Sequence, residues 1–398
     1  MTSAPVRSGS PVDAAARAAS AEDASPASDA GRAETETPEM LQFLDPDGRL
    51  TVPEGYEKDA EALTPELLVR LYRDMVMTRR FDAEGTSLQR QGHLALWVPS
   101  NGQEGAQVGL AHAMGPKDFA FPTYREHGVA FVRGVDVSHL FDTFRGASHS
   151  GMDPYEHNFN HYTVVLAAQM LHAVGYAMGI TWDAEREGRS EPGEAAVAFF
   201  GDGASSEGDA HEAMVFAASF NAPVLFFNQN NQYAISVPLA VQSRHPIAER
   251  AKGYGFPGKR VDGNDVIASY IVSKRGLEDA RSGKGPSLIE AYTYRMSPHT
   301  TADDPTKYRL KDEEEEWRAK CPIHRLEKYL LSEGILDEER VEQISDEAND
   351  LARHVRSYVL NAEDPDIEAS FDSVYGEEHP LVEEERAAHR EYIAGFED

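Results

Sequence analysis

Residues 195–236 read AAVAFFGDGASSEGDAHEAMVFAASFNAPVLFFNQNNQYAIS. A continuous apolar run over 195–200 has the character of a strand buried on both faces. Gly201, Asp202 and Gly203 break that run. Residues 207–220 then carry Ala213, Phe216, Ala217 and Phe220 at i, i+3, i+4 and i+7, which is helical spacing. Pro223 stops the helix, and residues 224–227 make a second buried strand. Strand, helix and strand in so short a span predict one right-handed βαβ unit with parallel neighbours.

Asp202 and Asn231 fall just past the carboxyl ends of the two strands, where open α/β sheets bind ligands. A helix beginning near Ser205 points its free N–H groups at the same place, which suits a phosphate. A carboxylate beside a phosphate is repulsive unless a divalent cation lies between them. The Asp202 carboxylate and the Asn231 amide offer hard oxygen ligands. A backbone carbonyl, a diphosphate and water would complete an octahedron around Mg²⁺. The plain reading of the same residues is a tight turn with a capping aspartate and a surface asparagine loop. GDG, a 29-residue separation and a paired asparagine after an apolar strand resemble instead the motif of thiamine diphosphate-binding proteins.

The chain has 398 residues, enough for one large α/β domain or two smaller ones. No apolar run is long enough to span a membrane, and a cytoplasmic protein is expected. The formal charge of −30 leaves no basic footprint for nucleic acid. Only 10 of the 38 basic residues are lysines. A strongly acidic, lysine-poor chain resembles proteins of salt-loving cytoplasms, where salt screens the self-repulsion; an acidic mesophile is the alternative. The single cysteine, Cys321, reads as a small buried residue at a turn rather than a nucleophile. Residues 1–39 are rich in Ala, Ser, Asp, Glu and Pro and read as a disordered, solvated tail. They lack the apolar core of a secretory signal, and their acidic residues argue against a transit peptide.

Residues 41–50, LQFLDPDGRL, read as a short hairpin or extended lead-in, and Thr64-Pro65 as a helix start. RQG at 90–92, GQE at 102–104 and FPTYREHG at 121–128 follow. With the GDG and asparagine-pair motif, they resemble the alpha subunit of the decarboxylating component of 2-oxo acid dehydrogenase complexes. The resemblance runs from about residue 41 to the C-terminal helices. It implies an α/β thiamine diphosphate-binding fold with a doubly wound, mostly parallel sheet flanked by helices. Residues 40–398 would form a single catalytic domain with a C-terminal helical extension.

The same resemblance assigns roles. Tyr124 and Arg125 contact the cofactor, and an Arg fork suits a diphosphate. Leu166 lies against the aminopyrimidine ring, although simple core packing would also explain it. Asp202 and Asn231 ligate Mg²⁺ by side chains and Tyr233 by its carbonyl, while Gly203 and Ala204 donate backbone N–H groups to the diphosphate. Gln229 stands where branched-chain members often have Arg, so phosphate binding leans on Arg125 and Arg295. His299, in PHT, matches the active-site histidine, a type suited to protonating or orienting substrate near neutral pH. Thr300 stands where animal relatives have a regulatory phosphoserine. His149, His157 and His161 lie in a Gly-rich loop with spacing too irregular for zinc.

The implied reaction is oxidative decarboxylation of a 2-oxo acid with reductive acylation of lipoyl groups on the acyltransferase component. Pyruvate is the preferred substrate, on the 41–50 lead-in and Gln229; branched-chain 2-oxo acids and acetoin are alternatives. Phe119, Phe121 and Trp97 are candidates for shaping the pocket. No glutamate in this chain carries the pyrimidine-activating role, which implies a beta subunit and an α₂β₂ heterotetramer. The C-terminal stretch from 370 on, polar with isolated apolar anchors, reads as a tail that docks on another chain. A catalytically silent paralogue that stabilises a beta subunit is the alternative of another class, and an ordinary nucleotide-binding α/β protein a third.

Overall fold

The computed structural model describes residues 39–146, 152–363, 366 and 368–396. The tail expected over 1–39 therefore lies, except for its last residue, outside the described residues, as does His149. The strands are β1 (Met40–Leu41), β2 (Phe119–Phe121), β3 (Ala196–Gly201), β4 (Val224–Asn230), β5 (Tyr233–Ala234), β6 (Val237–Pro238), β7 (Gly258–Asp262) and β8 (Ser287–Tyr292). The helices that frame them are α1 (Pro65–Arg90), α2 (Glu104–Ala113), α3 (Ala168–Arg186), α4 (Gly208–Ser219), α5 (Val266–Arg281) and α6 (Glu338–Asn361).

Six strands form one sheet in the order β1-β7-β8-β4-β3-β2, and every neighbouring pair is parallel. Successive side chains of a strand point to opposite faces. In β3, Val197 and Phe199 enter one core while Ala196, Ala198 and Phe200 enter the other. Leu225 and Phe227 of β4 alternate with Val224 and Phe226 in the same way. Helices α2 and α5 supply the first core and α3 and α4 the second. A sheet covered on both faces is the physical reason for unbroken apolar runs. The N-terminus of α1 is set as expected: Thr64 accepts from the Leu67 N–H at 3.3 Å and Pro65 takes the first helical position.

Three local expectations need correction. The helix after Asp202 does not start at Ser205; a 3₁₀ turn, Gly203–Ser206, comes first, and α4 begins at Gly208. The buried face of α4 is Ala210, Ala213, Met214 and Ala217, while Phe216 and Phe220 stack on each other and stand exposed. Small alanines let α4 approach α3 closely, and the rings have no room on that side. β4 runs on through Asn228, Gln229 and Asn230, because their backbone pairs with β3 and β8 despite the polar side chains. The helix α3 begins at Ala168, after a turn at Leu166–Ala167 in which Ala167 has φ 67°.

Residues 40–50 contain both expected features. β1 pairs with β7 at the sheet edge, and an antiparallel bridge joins Leu44 to Leu50. The long C-terminal helix α6 packs on α1 through Ile344, Ala348, Ala352 and Val355.

Candidate active site

Asp202 follows the last residue of β3, and Asn231 follows the last residue of β4. These strands are hydrogen-bonded neighbours, so both side chains emerge at one end of the sheet. Gly203 is required by contact: a Cβ there would stand 2.7 Å from the Ala234 Cβ. The turn Gly203–Ser206 can therefore lie against the β5–β6 hairpin only without a side chain at 203. The Arg250 guanidinium holds that turn from behind, donating to the Ser205 carbonyl and, at 3.1 Å, to Ser243 Oγ.

All ten residues expected at the site, Tyr124, Arg125, Leu166, Asp202, Gly203, Ala204, Asn231, Tyr233, Arg295 and His299, line one cleft. The candidates for shaping the substrate pocket do not. Trp97 is fully buried, stacked between His127 and Phe141, with its indole N–H donated to Asp82 at 3.0 Å. Phe119 and Phe121 pack against Tyr176 in the second core. Leu166 is 42 % exposed, and Val164 and Val165 beside it 72 % and 70 %. Core packing is thus not what fixes Leu166; the cleft has an open apolar lip there.

The electrostatics are those of an anion site with a cation position beside it. Arg125 and Arg295 are both buried, and among the described residues no carboxylate pairs with either guanidinium. Arg125 donates to the Pro99 carbonyl and to His299 at Nδ1 (3.1 Å) and O (2.9 Å). Arg295 donates to the Tyr233 carbonyl at 2.9 Å and to Tyr308 Oη at 3.0 Å. Burial lowers both, Arg125 to about 10. Two desolvated cations aimed at one cleft are unfavourable until an anion arrives. Asp202, 1 % exposed, is pushed up to about 6 by burial, against a hydrogen bond from the Gln242 amide at 2.9 Å. A carboxylate held this way fits a divalent cation, with the Asn231 amide oxygen and the Tyr233 carbonyl as further hard ligands. Among the described residues no group of three or more His, Cys, Asp or Glu side chains could hold a metal. A cation here would therefore take neutral oxygens and ligand oxygens for the rest of its shell.

Of the two roles expected of His299, protonating or orienting substrate, its surroundings favour the second. Burial and the nearby Arg125 and Arg295 guanidiniums hold it down to about 3. A guanidinium can only donate, so Nδ1 accepts from Arg125 and the single proton rests on Nε2. We predict that the ¹⁵N signals of His299, identified by their loss in His299→Asn, will not titrate between pH 5 and 8. A midpoint near 6.5 would contradict the neutral Nε2–H form. The loop that carries His299 is braced: Asp303 accepts from the His299 N–H at 2.8 Å and from the Tyr308 hydroxyl.

Several residues at the site carry no role in the sequence reading. Buried Glu126 accepts from the Thr123 N–H at 2.7 Å and from the Gln229 amide. Gln229 in turn accepts from Gln107 at 3.0 Å. This amide–carboxylate chain engages both ends of the Gln229 amide at the wall of the cleft. From the acidic helix Lys311–Arg318, Glu313 accepts from the Tyr233 hydroxyl (2.9 Å) and Glu314 from Arg309 (2.7 Å). Glu126 sits directly beside Arg125 in the quoted TYREHG segment, a signal that was available. Glu313 and Glu314 gave none, because a run of four glutamates reads as solvent-facing.

A doubly wound parallel sheet with this end-of-strand arrangement defines a thiamine diphosphate-binding α/β protein. The chain belongs to the family described as dehydrogenase E1 component, which matches residues 72–367. It is 44 % identical over 357 residues to the 3-methyl-2-oxobutanoate dehydrogenase subunit alpha of Mycobacterium tuberculosis, covering 89 % of this chain and 95 % of that one. It is 36 % identical over 345 residues to the pyruvate dehydrogenase E1 component subunit alpha of Acholeplasma laidlawii, covering 85 % and 97 %. A Staphylococcus epidermidis subunit of the same name is also 36 % identical, over 85 % and 89 %. The chain is thus an E1 alpha-type component of a 2-oxo acid dehydrogenase, and the family implies thiamine diphosphate as cofactor. Among the described residues no helix is long and apolar enough to cross a membrane.

Proposed function

We propose that this chain is the alpha subunit of an α₂β₂ 2-oxo acid dehydrogenase that uses thiamine diphosphate and Mg²⁺ and acylates the lipoyl domain of an acyltransferase component. The observation that carries the proposal is the pairing, in one cleft, of a buried Asp202–Asn231 oxygen set with two buried arginines that, among the described residues, lack carboxylate partners. Asp202, Asn231 and the Tyr233 carbonyl would hold the metal. Arg125, Arg295 and the N–H groups of Gly203 and Ala204 would hold the diphosphate. When bound, the cofactor supplies the electron sink that lets carbon dioxide leave a 2-oxo acid. Arg125 fixes the His299 ring and keeps its proton on Nε2, where it can orient a substrate oxygen. Tyr124 packs edge-on to His299 at 6.2 Å and limits how that ring can turn. The open lip at 164–166 is where a beta subunit would close the cleft and supply the group that acts on the pyrimidine.

For the substrate, the higher identity to the branched-chain relative supports 3-methyl-2-oxobutanoate and its homologues. Pyruvate is the second reading, supported by Gln229 and the 41–50 lead-in. The test is co-expression with the neighbouring beta subunit, purification in molar KCl as the acidic composition recommends, and assay with an artificial electron acceptor. Turnover that requires thiamine diphosphate and Mg²⁺ is expected, fastest with 3-methyl-2-oxobutanoate. A preference for pyruvate or acetoin would overturn the substrate assignment. An intact heteromer that turns over none of them would favour a silent stabilising paralogue.

A further inference from the structure

The GQE segment contains a polar group for which the reading above has no use. Gln103 is 1 % exposed and lines the cleft beside Asn231. Its place is fixed by the backbone around it. The Gln103 N–H donates to the Ser100 carbonyl at 3.0 Å, and its own carbonyl accepts from Gln107 at 3.1 Å, opening α2. The preceding Gly102, φ 98°, is pressed so close to the Tyr294 carbonyl that a Cβ there would lie 2.2 Å from the oxygen. Thr293 Oγ donates to the Gly102 carbonyl at 2.7 Å. The turn that carries Gln103 is therefore pinned to the segment that carries Arg295.

The direction of each amide follows from what can donate. The Tyr233 backbone N–H faces Asn231 Oδ1 at 3.3 Å, and an N–H can only donate, so Asn231 presents its oxygen on that side. Its Nδ2 then faces Gln103 and donates to Oε1 at 3.4 Å, a long bond. The Gln103 amide is thereby oriented with Nε2 as its other end, and that buried nitrogen has no partner among the described residues. A buried, unpaired amide N–H₂ is destabilising, so such groups are normally satisfied. The neighbouring Glu104 cannot serve, being taken by Arg79 at 2.8 Å on both oxygens and by the Gly102 N–H.

We propose that Gln103 is a further residue of the cofactor site: Oε1 holds Asn231 with its oxygen toward the metal, and Nε2 donates to an oxygen of the cofactor diphosphate. The oxyanion could instead be the carboxylate of the 2-oxo acid. Contact with Asn231, rather than with His299, assigns it to the diphosphate. The proposal rests on the function argued above.

The test uses the co-expressed αβ heteromer with Gln103→Glu, Gln103→Met and Gln103→Asn. Glutamate keeps an acceptor for Asn231 but replaces the donor with negative charge. Methionine removes both partners at similar volume. Asparagine keeps the chemistry but falls short. Thiamine diphosphate affinity is read by calorimetry at fixed Mg²⁺, and substrate KM at saturating cofactor. Loss of one buried hydrogen bond to a charged group corresponds to about a tenfold or greater rise in Kd. We expect this in Gln103→Glu and Gln103→Met, with substrate KM unmoved. Cofactor Kd within twofold of the parent in any variant that keeps the parent's Tm would overturn the proposal. A raised substrate KM with unchanged cofactor Kd would overturn it in favour of the substrate carboxylate. If the parent heteromer itself binds no thiamine diphosphate, the functional reading fails instead, which is a separate result.

Discussion

Asp202→Ala in the assembled enzyme is expected to lose Mg²⁺-dependent binding of thiamine diphosphate and to reduce turnover on the order of 10³-fold or more, as befits removal of a metal anchor at a preorganised charge site. Asp202→Asn separates function from stability. Burial lifts the carboxyl to about 6, so the native chain without ligands binds its proton more tightly than the unfolded chain does. The Asp202 contribution to stability is therefore fully present at low pH. It is lost as pH rises through roughly 4 to 6, and at pH 7 ionised Asp202 opposes folding by about 3 kcal/mol. Asparagine removes that charge with little change of shape. The ligand-free variant is expected to melt above the parent at pH 7.5 and to lose that advantage near pH 4, while failing to gain stability from Mg²⁺ and thiamine diphosphate. Thermal melts across pH, with and without ligands, check both halves. An Asp202→Asn protein that still gains Tm from the cofactor would remove Asp202 from the site.

Arg125→Lys should be nearly as damaging. One arm of this guanidinium is anchored on the Pro99 carbonyl and another on His299, so a planar fork is fixed in place before any ligand arrives. A lysine ammonium is a point charge with no fork and a larger hydration cost. It cannot hold the His299 ring, grip the Pro99 carbonyl and face an anion together. Turnover is expected to fall about 10²- to 10³-fold, with a cofactor Kd raised at least tenfold. Lysine keeps a positive charge near the His299 imidazole, and burial, the larger cause of its low value, is unchanged, so the ring should still not titrate between pH 5 and 8. Weakened binding with His299 ¹⁵N signals that still do not titrate above pH 5 would tie the loss to the planar fork rather than to the charge. Unchanged cofactor affinity would contradict the role given to Arg125.

The parts of this fold that were legible in the sequence are those with a periodic cause. Buried parallel strands produce unbroken apolar runs, and the turn between them must break those runs with glycine, so residues 195–231 could be read directly. The site residues drawn from short segments also gathered in one cleft, because strand ends adjacent in a parallel sheet bring distant positions together. What escaped depends on neighbours that a linear pattern does not contain. Asn228 to Asn230 belong to β4 because two flanking strands satisfy their backbones, although their side chains look like a loop. Phe216 and Phe220 fit a helical stripe, yet Ala210, Ala213, Met214 and Ala217 are the residues that face inward. Trp97 looked like a pocket wall and is a core ring held by Asp82. Gln103 stood inside a quoted motif, but only the missing partner on its Nε2 distinguishes it from an ordinary helix-start residue.

The exposed apolar segment Val164, Val165 and Leu166 meets, at Leu166, the same cleft that Arg125 and Arg295 line. On the proposed function, one small molecule would touch both the alpha chain and the chain that covers this segment. Linkage then runs in both directions: whatever factor the cofactor adds to subunit affinity, the second subunit must add to cofactor affinity. Vitamin supply would set how far the subunits stay associated when protein is dilute, and a separated alpha chain would hold its share of the cofactor only weakly.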